Sequence, residues 1–162
     1  MTTIAIGYDS GRLKIAADGM RVSGTERISM NEVKVKKVGW CVYAITGDWA
    51  LFDAAIAWHQ AGAEAGKQPK AEGQGAGWTL VVVDRWLNVG TYRADTPFVE
   101  EYPVPQSFGS GSSYAMALLR AGISPRRAVE IASDLDIHTG GTITEIDIAE
   151  VLDLDEQKAA AE

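Results

Sequence analysis

The opening stretch narrows the fold most. Over residues 2–9 the pattern alternates, with Ile4, Ile6 and Tyr8 on one face, and residues 13–18 alternate again. Ser10-Gly11 between them is a turn signal. Period-two alternation on both sides of a short turn reads as a β-hairpin. Val33-Lys34-Val35-Lys36 also alternates, valines to one face and lysines to the other. Residues 40–46 form a short apolar run bounded by glycines, the mark of a buried strand.

At Trp49 the period changes. Trp49, Phe52, Ile56 and Ala63 recur near every 3.6 residues in an alanine-rich segment, which predicts a helix to about Ala63. Residues 66–77 are polar and glycine-rich, hence a mobile loop. Strands return at 79–84 and 87–92, followed by a connection punctuated by Pro97, Pro103 and Pro105. A second helix is expected over 113–121, with Tyr114, Leu118 and Ala121 on one face and Gly122 as its stop. Ser124-Pro125 caps a third, whose buried face is read as Ala128, Ile131, Ala132 and Leu135. Residues 142–148 alternate as a last strand, and the polar tail 155–162 frays or extends a short helix. Segregated helices among mostly antiparallel strands give an α+β layered sandwich, and 162 residues without an internal repeat suit a single domain, 1–162.

Composition restricts the partners. A net charge of -7 and a pI of about 4.8 argue against nucleic acid, which needs a positive patch. No apolar run approaches the roughly 20 residues that cross a bilayer, and no signal peptide is seen, so a cytoplasmic protein is expected. Cys41 is the only cysteine and reads as a small core hydrophobe. His59 and His138 read as packing or surface residues; with no Glu-x-x-His motif, neither a metal site nor any cofactor is expected. The glycines carry no phosphate-loop or dinucleotide pattern. On the first helix, Leu51, Ala55 and Trp58 make a second apolar face, expected to be exposed and covered by another copy of the chain.

The candidate chemistry begins at the N-terminus. Removal of Met1 would expose Thr2 with a free α-amine, whose reference pKa of about 7.7–8.0 lets it accept the proton of its own hydroxyl. Asp18 follows in Ala16-Ala17-Asp18-Gly19, Lys34 in Val33-Lys34-Val35, and Ile45-Thr46-Gly47-Asp48 leads into the first helix. Gly109-Ser110-Gly111-Ser112 and Asp136-Ile137-His138-Thr139-Gly140-Gly141 come later. By itself each has a plain reading: Asp18 a turn residue, Lys34 a solvated strand lysine, Ser110 a loop or cap, Asp136 and Thr139 a helix end.

In that order and spacing, over nearly the whole chain, these motifs resemble the proteasome β-subunit and HslV-type peptidases of the N-terminal nucleophile hydrolases. The similarity is greatest to a small divergent bacterial and prophage branch in which Asp-x-x-Thr-Gly-Gly closes the last helix. The resemblance implies a four-layer αββα sandwich with antiparallel sheets and a threonine peptidase active as a homo-oligomeric ring. It implies that Thr2 supplies both nucleophile and base, Lys34 holds the amine unprotonated, Asp18 fixes Lys34, and Gly47 offers its N–H to the oxyanion. Ser110, Asp136 and Thr139 match the supporting set. Ile45 and Trp49, with Asp53 near them, fall at the pocket for the side chain preceding the scissile bond. Lys34 takes the lysine position when counted without gaps; Lys36 shares its face and Lys37 points away. The implied substrate is a peptide or unfolded protein, fed by a separate ATP-dependent unfoldase if one exists. The short glycine-rich region after the first helix stands where members continue with a second long helix, which leaves ring size open. The alternatives are a non-proteolytic amidohydrolase on the same fold and a catalytically silent binding or assembly module.

Overall fold

The structure, a computed structural model, describes residues 1–73 and 77–161, without the side chains of 97, 98 and 154–159. The opening hairpin is β1 (Thr3–Asp9) and β2 (Arg12–Ala17). Ser10 and Gly11 between them have φ of 53° and 78°. Two successive positive φ values are the requirement of a type I′ turn, whose twist matches that of the strands. A second hairpin, β3 (Arg21–Ser23) and β4 (Glu26–Ser29), stands apart as its own two-stranded sheet. Next, β5 (Val35–Val38), β6 (Cys41–Gly47), β7 (Trp78–Val83), β8 (Val89–Arg93) and β9 (Thr96–Tyr102) form an antiparallel sheet in sequence order. Flanking the first hairpin, β10 (Gln106–Gly109) and β11 (Thr144–Asp147) give the order β10-β1-β2-β11. The helices are α1 (Phe52–Gln60), entered through a 3-10 turn at Trp49–Leu51, then α2 (Ser112–Arg120), α3 (Pro125–Leu135) and α4 (Ile148–Ala161).

The four-stranded and the five-stranded sheet each bury both faces, and this fixes the layers. Ile4, Ile6, Leu13 and Ile15 meet Val42, Ala44, Val81 and Val83 between the sheets. On the outer side of the first sheet, Ala5 and Ala16 pack on Ala115, Ala128 and Ala132 of α2 and α3. On the outer side of the second, Tyr43, Leu80 and Val82 pack on Phe52, Ala55 and Ile56 of α1. The result is the expected α+β arrangement, an αββα sandwich with antiparallel sheets.

Several local expectations are corrected. Pro97 lies inside β9, at the edge of its sheet, where one missing N–H is tolerated. The short strands β3, β4 and β10 escaped the periodicity reading because three or four residues carry too little alternation. Leu135 is 56% exposed: the buried stripe is Pro125, Ala128, Val129 and Ala132, which runs on to Asp136 instead. On α2 the buried residues are Ala115 and Leu119, and Tyr114 is exposed, because this layer approaches the sheet through alanines. Ile148 begins α4 rather than ending a strand. Cys41 is only half-buried. Val33 is exposed because the strand starts at Val35. The loop over 66–77 contains neither helix nor strand among its described residues, and 74–76 lie outside the description, as does the end of the tail at 162.

The largest correction concerns Trp58. It is 9% exposed, its ring edge-on to Trp78 and Tyr92 at 6.0 and 5.6 Å, and its Nε1 donates to the Glu64 carbonyl at 3.0 Å. The face assigned to a second copy is therefore filled by the chain's own sheet, which takes a wide stripe of α1. Replacing Trp58 by alanine would cost about 3–5 kcal/mol of stability and would not report on assembly.

The same layer contains a pH-dependent contact. Tyr43 Oη and His59 Nδ1 are 2.9 Å apart under α1, and burial lowers the His59 pKa from its usual value. The unfolded chain therefore holds more protons below about pH 6.5. Stability is then expected to fall as pH drops through that value towards the folded pKa. Urea unfolding at several pH values checks this: His59→Gln should flatten the slope in that window.

Candidate active site

The hairpin β1–β2 puts both ends of the chemistry side by side. Asp18 follows the last residue of β2, and Thr2 precedes the first of β1. Asp18 Oδ1 accepts from the Thr3 N–H at 2.9 Å, and Oδ2 from the N–H groups of Met20 at 3.2 Å and Gly140 at 3.1 Å. Lys34, entering β5, is 2% exposed and sets its Nζ 3.2 Å from both carboxylate oxygens. It also donates to the Met20 carbonyl and, at 3.4 Å, to that of Met1. Burial lowers the Lys34 pKa, and the charge of Asp18 works against that. A buried charge pair of this kind holds only when its remaining donors and acceptors are also satisfied, and here they are.

Thr2 is 3% exposed, and its Oγ1 donates to the Met1 carbonyl at 2.6 Å. The Met1 α-amine is pushed below its usual value, first by burial and then by Lys34. Thr2's own carbonyl accepts from the Ser110 N–H at 2.8 Å. Ser110 Oγ donates to Asp136 Oδ2 at 2.6 Å, as does Thr139 Oγ1, also at 2.6 Å. Burial alone would raise the Asp136 pKa; the hydrogen bonds from Ser110 and Thr139 outweigh it and hold the carboxyl below its ordinary value.

The glycines explain why these segments can approach. A Cβ on Gly109 would lie 1.8 Å from the Thr2 carbonyl oxygen, and one on Gly111 2.1 Å from Thr3 Oγ1. At Gly141, φ is 78° and a Cβ would meet the Met30 carbonyl at 2.2 Å. Asp136-x-x-Thr139-Gly140-Gly141 thus turns the chain out of α3, supplies a carboxylate to Ser110, and returns an N–H to Asp18. Gly47 has φ of 89°, and a Cβ there would strike the Gly77 carbonyl at 2.2 Å.

Thr2, Lys34, Gly47 and Trp49 line one cavity of about 190 Å³ together with Met20 and Arg21. Trp49 is anchored by its Nε1, which donates to the Val33 carbonyl at 3.0 Å, and the Arg21 guanidinium lies 5.2 Å from its ring centroid. Ile45 does not reach this cavity: it is 1% exposed and packs in the α1 layer. Asp53 is likewise elsewhere, exposed and paired with Lys36, so Lys36 leaves the site by way of α1. His138 is half-buried and only its N–H joins the site, donating to Asp136 Oδ1 at 3.2 Å.

Two participants were missed from the sequence. Thr3 Oγ1 is 2.6 Å from Thr139 Oγ1, whose proton goes to Asp136, so Thr3 donates. This closes a hydrogen-bonded circuit from Thr3 through Thr139, Asp136 and Ser110 back to Thr2. The signal was available: Thr3 shares the helix-facing side of β1 with Ala5, and a buried hydroxyl there needs a partner. Arg21 over Trp49 had no sequence signal, since the contact crosses between separate elements. Among the described residues no three His, Cys, Asp or Glu side chains gather as a metal site, and no helix is long and apolar enough to cross a membrane.

The comparison with solved structures decides the fold. BPH of Thiobacillus denitrificans, solved in complex with epoxomicin, matches 89% of this chain over 96% of its own, at 21% identity and a TM-score of 0.65. Eukaryotic HslV from Trypanosoma brucei matches 89% of this chain over 97% of its own, at 16% identity and a TM-score of 0.70. The fold is that of the HslV-type peptidases. No family model matches the chain, and no curated protein matches it in sequence. The HslV-type fold accounts for the near-complete coverage in both directions, with the N-terminus at the mouth of the sandwich where Asp18, Lys34 and Gly47 meet.

Proposed function

We propose that the chain acts as one domain and is a threonine peptidase whose nucleophile is Thr2, freed by removal of Met1. The observation that carries this reading is the buried Lys34–Asp18 pair beside the Thr2 hydroxyl and the first carbonyl of the chain. With Met1 gone, the Thr2 amine takes the Oγ proton as Oγ attacks the substrate carbonyl carbon. The cation at Lys34 disfavours protonation of that amine, so it stays a base. Gly47 N–H stabilises the oxyanion. The scissile C–N bond breaks as the amine returns its proton to the leaving nitrogen, and an acyl-threonine ester remains. Water, deprotonated by the same amine, hydrolyses that ester and restores the hydroxyl. Ser110, Asp136, Thr139 and Thr3 hold the frame of Thr2 throughout.

The protein works as a homo-oligomeric ring in the cytoplasm, on peptide or unfolded-protein substrates. Met30, Leu135 and Ile137, apolar and exposed around a cavity beside Asp136, are the surface that another copy would cover. A nucleotide-driven unfoldase, if the ring uses one, is a separate chain. The test is incubation of the purified protein with a mixed peptide library, read by mass spectrometry. New termini at reproducible positions, absent with Thr2→Ala, are expected. An intact library beside a protein that begins at Thr2 would favour an amidohydrolase or a silent binding module.

A further inference from the structure

The inter-sheet face changes character at the open end of the sandwich. On three neighbouring strands, residues facing the other sheet go from apolar to polar as they approach Thr2: Val42 and Ala44 give way to Thr46 on β6, Val83 and Val81 to Thr79 on β7, and Val89 to Thr91 and Arg93 on β8. The last positions could have continued the core. Instead Thr46, Thr79, Thr91 and Arg93 line a cavity of about 300 Å³, with Gln106 and Ser112 opposite. Thr91 is 2% exposed, and its Oγ1 is buried without a partner of hydrogen-bonding geometry. Tyr102 Oη beside it gives its own proton to Glu100 at 2.7 Å and so faces Thr91 as an acceptor, which leaves the Thr91 oxygen itself open to a donor. Among the described residues Arg93 makes one loose ion pair, 3.9 Å from Glu100. A guanidinium fork held at one corner can take a carboxylate on its free edge.

The cavity adjoins the reaction centre. Thr46, Thr79 and Arg93 also line a second hollow of about 310 Å³ that reaches Gly47, with Asp95 at its outer rim. The wall between cavity and nucleophile is thin, because a Cβ on Gly109 would touch both the Thr2 carbonyl and Thr46 Cγ2. The Trp49 cavity and this one thus flank Gly47 on two sides.

We infer that this polar mouth is the subsite for the part of the substrate beyond the scissile bond, and that Arg93 selects a carboxylate there. The carboxylate is either an Asp or Glu side chain or the C-terminus of a short peptide. Its oxygens meet the guanidinium, and a backbone or side-chain donor of the substrate satisfies Thr91 Oγ1. The leaving-side assignment rests on the peptidase reading; the carboxylate site itself does not.

Two measurements separate these. Quenched-fluorescence peptides varied after the scissile bond to Asp, Asn or Lys, and short peptides ending in a free acid or an amide, give kcat/KM for wild type, Arg93→Gln and Arg93→Glu. The same short acid and amide peptides are titrated into Thr2→Ala, with isothermal calorimetry as the binding signal. Wild type is expected to favour the acid by about tenfold or more, Arg93→Gln to lose the preference, and Arg93→Glu to favour Lys. The side-chain and C-terminal series show which carboxylate is read. If acid and amide bind and react alike, or if the preference survives Arg93→Gln, the inference is overturned. Acid-selective binding that depends on Arg93, without any cleavage, sinks the peptidase reading and keeps the site.

Discussion

Thr2→Ala is expected to lose peptide turnover by a factor on the order of 10⁴ or more and to leave the fold intact. In the proposed mechanism one residue supplies both the attacking oxygen and, once Met1 is gone, the base, so no other side chain takes over either task. The hydroxyl is nearly free of structural duty. Among the described residues its one hydrogen bond is to the carbonyl of Met1, the residue whose removal the mechanism requires. The backbone contacts that seat it, Ser110 N–H on the Thr2 carbonyl and Thr3 N–H on Asp18, are unaffected by the change. Thermal unfolding should therefore move little while kcat collapses. Retained turnover in a folded Thr2→Ala protein would remove Thr2 from the mechanism.

Lys34→Met should damage both stability and activity, and Lys37→Ala should do far less. Lys34 has the only ammonium within the Asp18 cluster among the described contacts, and its loss strands a carboxylate and the Met20 carbonyl in a buried place. Breaking a buried pair from one side costs about 3–5 kcal/mol, which urea unfolding would measure. In what remains folded, kcat/KM should drop by at least roughly a hundredfold, a contribution typical of a positioned acid–base partner. The acid limb of the pH–rate profile should also move to higher pH, because the α-amine loses a neighbouring cation that disfavours its protonation. Lys37 pairs with Val42 in the β5–β6 ladder, on the opposite face of the strand from Lys36. An inactive Lys37→Ala protein beside a normal Lys34→Met would overturn the assignment.

Legibility varied with the length of the pattern. The β1–β2 hairpin was plain because six or seven alternating residues flank a two-residue turn. Segregated helices pointed to a layered α+β sandwich, and the αββα order came with the resemblance. Trp58 was misplaced because a helical wheel shows where apolar residues lie but not how wide a sheet they must cover; β6, β7 and β8 together accept a broad stripe. Leu135 failed for a related reason, since the last turn of α3 runs past the sheet and the stripe ends at Asp136. In the site, the residues joined by local motifs were legible as a set. Asp136-x-x-Thr139-Gly140-Gly141 builds its own turn, and Asp18 follows its strand directly. What could not be read were contacts across elements with no sequence relation, such as Arg21 on Trp49 and the Thr3–Thr139 hydroxyl pair. Ile45 was placed at the pocket by the resemblance, but strand alternation turns it to the α1 side.

The most direct test of a Thr2 nucleophile is the intact mass of the purified protein before and after incubation with a threonine-directed electrophile, followed by mapping of the N-terminal peptide. The expected result is a chain that begins at Thr2, gains one reagent mass, and carries it on that residue. A chain that keeps Met1 and gains nothing, or one that begins at Thr2 and is labelled elsewhere, would contradict it.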